Sequence, residues 1–317
     1  MAQFTWAFHA PSGTYKNHRL GSKLFEASVE NSIFMDHVQP AEGYGRNAGE
    51  TVTLTRVRNV TEPTSADLDE SMRIPEDEFQ LSVRSITVKE LGRAIPFTSL
   101  SGDLSKFDLD NPIQRKLRDQ MRLVLDTKAA AAFKEAKVKY APTGSAGTPT
   151  NNIATNGTFG ATASRNMQMF DVEQIRDYLF DDLNADTAEN DDYVGIFRTL
   201  GLRGIKNDAT WQDWHRYTDP QVKFNGEVGR IEGVRFIESN HARALGKVGT
   251  GSALGEGVIF GADAVAMAEA MSPELRAAIP TDFGRLKAVA WYGILEFGII
   301  WDTGNKGEAK VVHVGSA

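Results

Sequence analysis

The stretch Gly49-Glu-Thr-Val-Thr-Leu-Thr-Arg-Val-Arg-Asn-Val60 decides how this chain is read. Val52 and Leu54 alternate with three threonines, and that period of two predicts a half-buried strand. A second run, Phe79-Gln-Leu-Ser-Val-Arg-Ser-Ile-Thr-Val88, alternates similarly but changes phase between Val83 and Ile86, which predicts a bulge or twist. The two runs form a long antiparallel hairpin in this reading. Its connection, Thr61 to Glu78, carries Glu62, Asp67, Asp69, Glu70, Glu76, Asp77 and Glu78 against one Arg73, so the tip is acidic and faces solvent when the subunit is alone. Strands of ten residues reach roughly 30 Å, yet an isolated two-stranded hairpin is marginal in water. The hairpin therefore needs a surface to lie on. Arg84, Lys89 and Arg93 on the return strand could meet the acidic tip of a neighbouring copy. The competing reading is a solvated strand face, because exposed ion pairs are individually weak.

Upstream, residues 1 to 45 scatter Phe4, Trp6, Phe8, Tyr15, Phe34 and Tyr44 among Gly, Pro and polar residues, with a hint of helix from Leu20 to Phe34. Such an arm cannot bury its own aromatics and must lie on the body or on another subunit. Downstream, Asn111 as N-cap and Pro112 at the first helical position start a long helix. Ile113, Leu117, Met121, Val124, Leu125 and Phe133 recur at helical spacing, and the helix should run to about Lys137 as a rod of roughly 40 Å. Ala141 to Ala163 reads as a flexible linker. Beyond it, Asp171 with Gln174 resembles a capping box. Tyr193 to Phe197, Ile231 to Glu238 and Val258 to Phe260 read as strands, and Arg198 to Ile205 as a helix. Leu286 to Glu296, Gly298 to Trp301 and Lys310 to Val314 close a sheet against the long helix in this reading.

Composition narrows the classes of function. Lys and Arg number 35 against 42 Asp and Glu, a net charge of −7, so the chain is a poor general nucleic-acid binder. With no cysteine there is no disulfide framework, thiolate nucleophile or Cys-ligated metal. The start lacks a signal peptide's basic flank and apolar run, so export is not expected. Ala288 to Trp301, interrupted by Glu296 and two glycines, is shorter than the roughly 20 residues of a membrane span, and no membrane partner is expected.

Signals of chemistry are sparse. Gly249-Thr-Gly251-Ser-Ala-Leu-Gly255 resembles a dinucleotide fingerprint, but its third glycine is displaced and a strand follows where a helix is needed, which favours a mobile loop. Asp182, Asn184 and Asp186 have the alternate spacing of a calcium loop, but Thr187 replaces the turn glycine and Tyr193 the bidentate Glu. Trp211-Gln-Asp-Trp214-His215 could stack a ligand, though aromatics serve structural corners and interfaces equally. A metal-dependent hydrolase using Asp181 to Asp192 with His215 or His241 is the enzymatic alternative. Without a complete constellation the expectation is no enzyme, no catalytic residue, no cofactor and no metal.

An arm, a long hairpin and a rigid helix on a mixed domain favour a self-assembling protein, since heterologous contacts close into rings or shells. That order of elements resembles the Hong Kong 97 fold of tailed-phage major capsid proteins. Gly45-Arg-Asn-Ala-Gly-Glu-Thr-Val-Thr-Leu-Thr-Arg56 and Gly226-Glu-Val-Gly-Arg-Ile-Glu-Gly-Val-Arg-Phe-Ile-Glu-Ser239 are similar to segments of the subfamily named for phage N-4. The resemblance implies an α+β chain with an arm over 1–45, an extended hairpin loop over 46–98, and a peripheral domain with its spine helix over 99–164. An axial domain over 165–275 and returning strands over 276–317 complete it. It further implies pentamers and hexamers of an icosahedral virion shell around double-stranded DNA, with portal, scaffold and decoration proteins as partners. The hairpin would lie over the neighbouring subunit, placing Val52, Leu54, Arg56, Glu62, Asp67, Asp69, Glu70, Arg73, Leu81, Val83, Arg84 and Lys89 at an intersubunit contact. Replacing Leu54 and Val83 by Asp should then leave a folded subunit that does not assemble. Many relatives carry a cleaved N-terminal scaffolding segment, whereas here the arm begins near Met1, so a separate scaffold protein is expected. An encapsulin-like compartment, with an enzyme cargo in place of DNA, is the rival of the same fold.

Overall fold

Two sheets share one long helix as their common support. The computed structural model describes residues 27–60, 62–68, 70, 73–100, 110–145, 148–188, 191–208, 229–280 and 282–317. The hairpin is β1 (Thr51–Val57) and β2 (Leu81–Thr87), followed directly by β3 (Lys89–Thr98). The helix α1 (Asp110–Lys134) begins two residues before the expected Pro112, so Asn111 lies within it instead of capping it, and it stops short of Lys137. It stops because β4 (Val138–Tyr140) must enter a sheet, and Lys139 Nζ returns to donate to the Lys134 carbonyl at 2.7 Å, satisfying one of the helix's terminal acceptors.

Helix α2 (Met169–Asp177) leads through one π-turn to β5 (Tyr193–Arg198) and α3 (Thr199–Lys206). Then come β6 (Val234–Ser239), β7 (Gly257–Phe260), β8 (Val265–Ala277), β9 (Leu286–Ile299) and β10 (Val311–Val314). A seven-stranded sheet runs in the order Arg230–Ile231, β6, β5, β7, β10, β4, Ile153–Ala154. A four-stranded sheet runs Gln39–Pro40, β8, β9, β3.

Side-chain alternation on the seven-stranded sheet divides the core. Val194, Ile196, Val258, Phe260 and Val311 meet Phe133 and the alanines of α1, whereas Tyr193, Phe197, Ile259, Val312 and Val314 meet α2 and α3. The N-terminal half of α1 lies on the four-stranded sheet, where Leu117 packs with Val289 and fully buried Trp291. The apolar helical spacing read from the sequence is thus spent on two sheets in succession.

Several expectations are corrected. Ala141 to Ala163 is no free linker: Thr143–Ser145 pairs with Thr148–Thr150, and Ile153–Ala154 pairs with β4. The capping box is Gln168 with Asp171, three residues before the pair expected, and Asp171 stands at the third helical position. There its carboxylate accepts from the Gln168 amide at 2.7 Å, from Tyr140 at 2.5 Å and from Arg165 at 2.5 and 2.8 Å. Among residues 27–37 the helix hinted to Phe34 is a single 3-10 turn, Phe34–His37. Phe34 is buried against Phe133 at 5.7 Å between ring centres, so this aromatic lies on its own subunit's body. Gly249–Gly255 is a packed turn, with the Thr250 amide donating to Ala163 O at 2.9 Å.

A buried polar chain ties the central strands together. Lys139 Nζ lies 2.9 Å from His313 Nδ1, and His313 Nε2 lies 2.8 Å from Glu256, which also accepts from Lys134 at 3.1 Å and from the Gly246 amide at 2.8 Å. These neighbours require a neutral His313 that accepts at Nδ1 and donates from Nε2. Burial lowers the His313 pKa, and burial lowers Lys139 to about 8. Burial alone would raise Glu256, but its hydrogen bonds from His313 and Gly246 and the Lys134 charge hold it at about 2. A carboxylate depressed in the folded state stabilises above its unfolded pKa and loses that contribution as pH falls through the folded value. The subunit should therefore lose about 3 kcal/mol from Glu256 between about pH 5 and pH 2. Protonation of His313 beside Lys139 acts in the same direction. Glu256→Gln should flatten the acid limb of a melting-temperature profile; an unchanged acid limb would place the acid sensitivity elsewhere.

Candidate intersubunit surface

The hairpin has two faces of different fate. β1 and β2 pair without interruption from Thr51↔Thr87 to Val57↔Leu81, so the expected bulge is absent. The phase change instead marks a change of face: Val52, Leu54, Arg56, Arg84 and Ile86 point to the body, whereas Val57, Leu81 and Val83 point to solvent. Val52 and Ile86 are buried on Ala266 and Ala268 of β8, with Leu54 half-buried beside them. Gly298 makes room here, since a Cβ at that position would stand 2.8 Å from Ile86 Cγ1.

A polar clamp fixes the root of the hairpin. Arg56 donates to Asp302 at 2.5 Å and to the Ile300 carbonyl at 3.0 Å, and its guanidinium lies 5.2 Å from the Trp301 ring centre. Arg84 reaches the same Asp302 at 3.2 Å and Glu135 at 3.2 Å. Burial alone would raise the Asp302 pKa, but the Arg56 hydrogen bond and charge, helped by Arg84, hold it below its ordinary value. Arg56→Ala should cost about 1–3 kcal/mol, because the carboxylate keeps partial access to water. Faster amide exchange confined to 51–57 and 81–87 would report it; unchanged exchange there would mean that apolar packing alone holds the root.

The sequence candidates divide by exposure. Val52, Leu54, Arg56 and Arg84 are engaged within the subunit. Leu81 and Val83 present about three fifths of their surface to solvent. Glu62, Asp67, Glu70 and Arg73 are exposed on the connection, where Arg73 pairs with Glu76. Lys89 is exposed and lies 3.6 Å from Glu296. Asp69 lies outside the described residues, as do Trp211, Trp214 and His215. Val60, Leu68, Ile74 and Phe79 add exposed apolar side chains to the acidic connection, so the hairpin carries an uncovered apolar strip edged by acids. The phase change at Val83 was the sequence signal for that strip.

A second uncovered apolar area sits at the far end of the four-stranded sheet, where Ile279, Phe283, Leu286 and Ile95 are exposed. Among the described residues, those weighed for metal chemistry do not converge. Asp186 pairs with Lys310 at 3.0 Å, Asp192 with Arg230 at 2.7 Å, and His241 with Asp126 at 2.8 Å inside the core. Among the described residues no three His, Asp or Glu side chains could together hold a metal ion. Among them also, no helix is long and apolar enough to cross a membrane.

The fold defines a class. It is an α+β fold of the Hong Kong 97 type, and solved phage capsid structures share it along the whole chain. The head structure of Helicobacter pylori bacteriophage KHP40 matches with a TM-score of 0.72 at 11% identity over 99% of this chain and 98% of the other. The acid-stable capsid of Helicobacter pylori bacteriophage KHP30 matches at 0.71 and 11%, and the capsid of cyanophage Pam1 at 0.69 and 16%, each over 100% of both chains. No protein-family model and no curated protein matches this sequence.

Proposed function

We propose that this chain is the major capsid protein of a tailed bacteriophage, self-assembling into pentamers and hexamers of an icosahedral head that encloses double-stranded DNA. The observation that carries this reading is the end-to-end match to phage capsid chains, in which this chain and the others each cover nearly all of one another. The segments 45–56 and 226–239 support a place near the N-4 subfamily. In this reading 1–45 is the arm and 46–98 the extended loop, with 99–164 the peripheral domain and 165–275 the axial domain. The strands from 276 to 317 return to both domains. A portal and a scaffold protein are the partners proposed for such a head, with a decoration protein as an optional addition.

The intersubunit contact belongs to the outward side of the hairpin: Leu81 and Val83, with Glu62, Asp67, Glu70 and Arg73 of the connection and Lys89 at the strand's foot. Uncovered apolar strips of this kind mark protein contacts. The inward residues fix the angle at which the strip is held out. An isolated two-stranded ribbon gains little stability alone, so its length is explained by a second surface.

Size-exclusion chromatography with light scattering on the purified chain, with and without the neighbouring virion gene products, tests the proposal. Capsomers or larger assemblies are expected. A monomer under every condition, with intact thermal unfolding, would contradict it. Enzyme cargo in place of DNA inside assembled shells would instead identify an encapsulin-like compartment.

A further inference from the structure

Three arginines of α1 gather on one side. Arg115, Arg118 and Arg122 follow at steps of three and four residues and are all exposed, which puts them on one helix face over roughly 10 Å. Along a different flank of α1 runs a groove of about 820 Å³, lined by Arg93, Lys116 and Arg243 together with Glu30 and Asp119. Both acids have partners there: Asp119 lies 3.7 Å from Lys116, and Glu30 lies 3.5 Å from His241. Among the described residues Arg118, Arg122 and Arg243 have no acidic partner. In a chain whose net charge is −7, this face is a local reversal of sign.

We propose that this arginine face of α1 binds the phosphate backbone of double-stranded DNA and is therefore the lumen-facing side of the shell. The inference rests on the capsid reading and adds to it an orientation and a DNA contact. Guanidinium groups suit phosphate, and a duplex presents about one negative charge per 1.7 Å of axis, so three arginines across roughly 10 Å meet several phosphates at once. Among the described residues no groove-inserting element accompanies them, so the contact is proposed to read charge and not sequence. Each subunit binds weakly, and the many copies of a shell make the sum effective.

The test is fluorescence anisotropy of a labelled 30-base-pair duplex with the full-length subunit across a salt series. Binding should weaken with salt at a slope near −2.7 in log–log form, about 0.9 for each of three phosphate contacts. Arg118→Glu with Arg122→Glu should weaken binding at least tenfold at 50 mM salt and flatten the slope by about 1.8. Arg203→Glu with Lys247→Glu makes the same charge change at exposed sites on and near α3, across the seven-stranded sheet, and should have a much smaller effect. Should the first pair fail to fold by circular dichroism, Arg118→Gln with Arg122→Gln replaces it, with the same direction expected. Absence of salt-dependent binding, or equal losses in the two pairs, overturns the proposal. Tighter binding of polyglutamate than of duplex overturns it in favour of an acidic protein partner. Electron microscopy of the same preparations separates the two claims: shells without the arginine effect refute this inference alone, whereas failure to form shells counts against the capsid reading.

Discussion

Replacing Leu81 and Val83 together by Asp is expected to leave a folded subunit that forms no shell. Both side chains stand on the solvent side of β2, opposite the face that Ile86 buries on the body. Exposed positions of this kind change subunit stability by about 0.5 kcal/mol or less. In an assembly, burying each contributes about 1.5–3 kcal/mol, and a carboxylate there both forfeits that gain and adds a desolvation cost. Every contact around a ring carries the loss, so assembly should fail outright. Leu54→Asp should behave differently, because Leu54 packs toward Ala266 and Ala268 and its replacement puts a charge against the body. Thermal unfolding together with light scattering separates the two outcomes. Intact assembly of the Leu81/Val83 variant would refute the outward face as a contact.

The second large effect is expected at Asp126. This carboxylate is fully buried in α1 and accepts from the Ile33 amide at 2.8 Å, the Phe34 amide at 2.7 Å and His241 Nδ1 at 2.8 Å. It ties the segment before Phe34 and the loop after β6 to one turn of the long helix. Asp126→Ala would leave two backbone donors and the buried Nδ1 of His241 unpaired, at a cost of about 3–5 kcal/mol. Denaturant unfolding should show that loss, together with easier proteolysis near residues 30–34. A change below 1 kcal/mol would mean that water replaces the carboxylate at no cost. Trp291, buried on Leu117, makes a comparison: Trp291→Ala should cost about 3–5 kcal/mol, mainly through lost packing and in small part through the hydrogen bond it donates to Gln120 at 3.2 Å, without opening the segment around Phe34.

What could be read from the sequence was whatever has a short period. Val52 and Leu54 among threonines announced a strand, and Ile113 through Phe133 announced a helix, because burial on one face imposes spacings of two and of three to four. β8 was missed because Val265 to Ala277 is rich in Ala, Met and Glu and contains Pro273, a composition that only pairing with β9 makes into a strand, with register shifts at 269/271 and 271/274. β3 went unseen as a sheet strand for a related reason: Pro96 breaks its pattern, and is tolerated because β3 is an edge. The clamp joins Arg56 to Asp302 and the core latch joins Asp126 to His241, each across more than a hundred residues, and no local pattern announces such pairs. The outward apolar strip was in plain sight as a change of phase, but a change of phase has two causes, a bulge or a second apolar face. The uninterrupted ladder from Thr51↔Thr87 to Val57↔Leu81 decides for the second.

Negative-stain electron microscopy of the purified chain, alone and after addition of lysate from infected cells, tests the central claim most directly. Closed shells or capsomer rings with fivefold and sixfold symmetry are the predicted result. A small monodisperse particle in both preparations would contradict it.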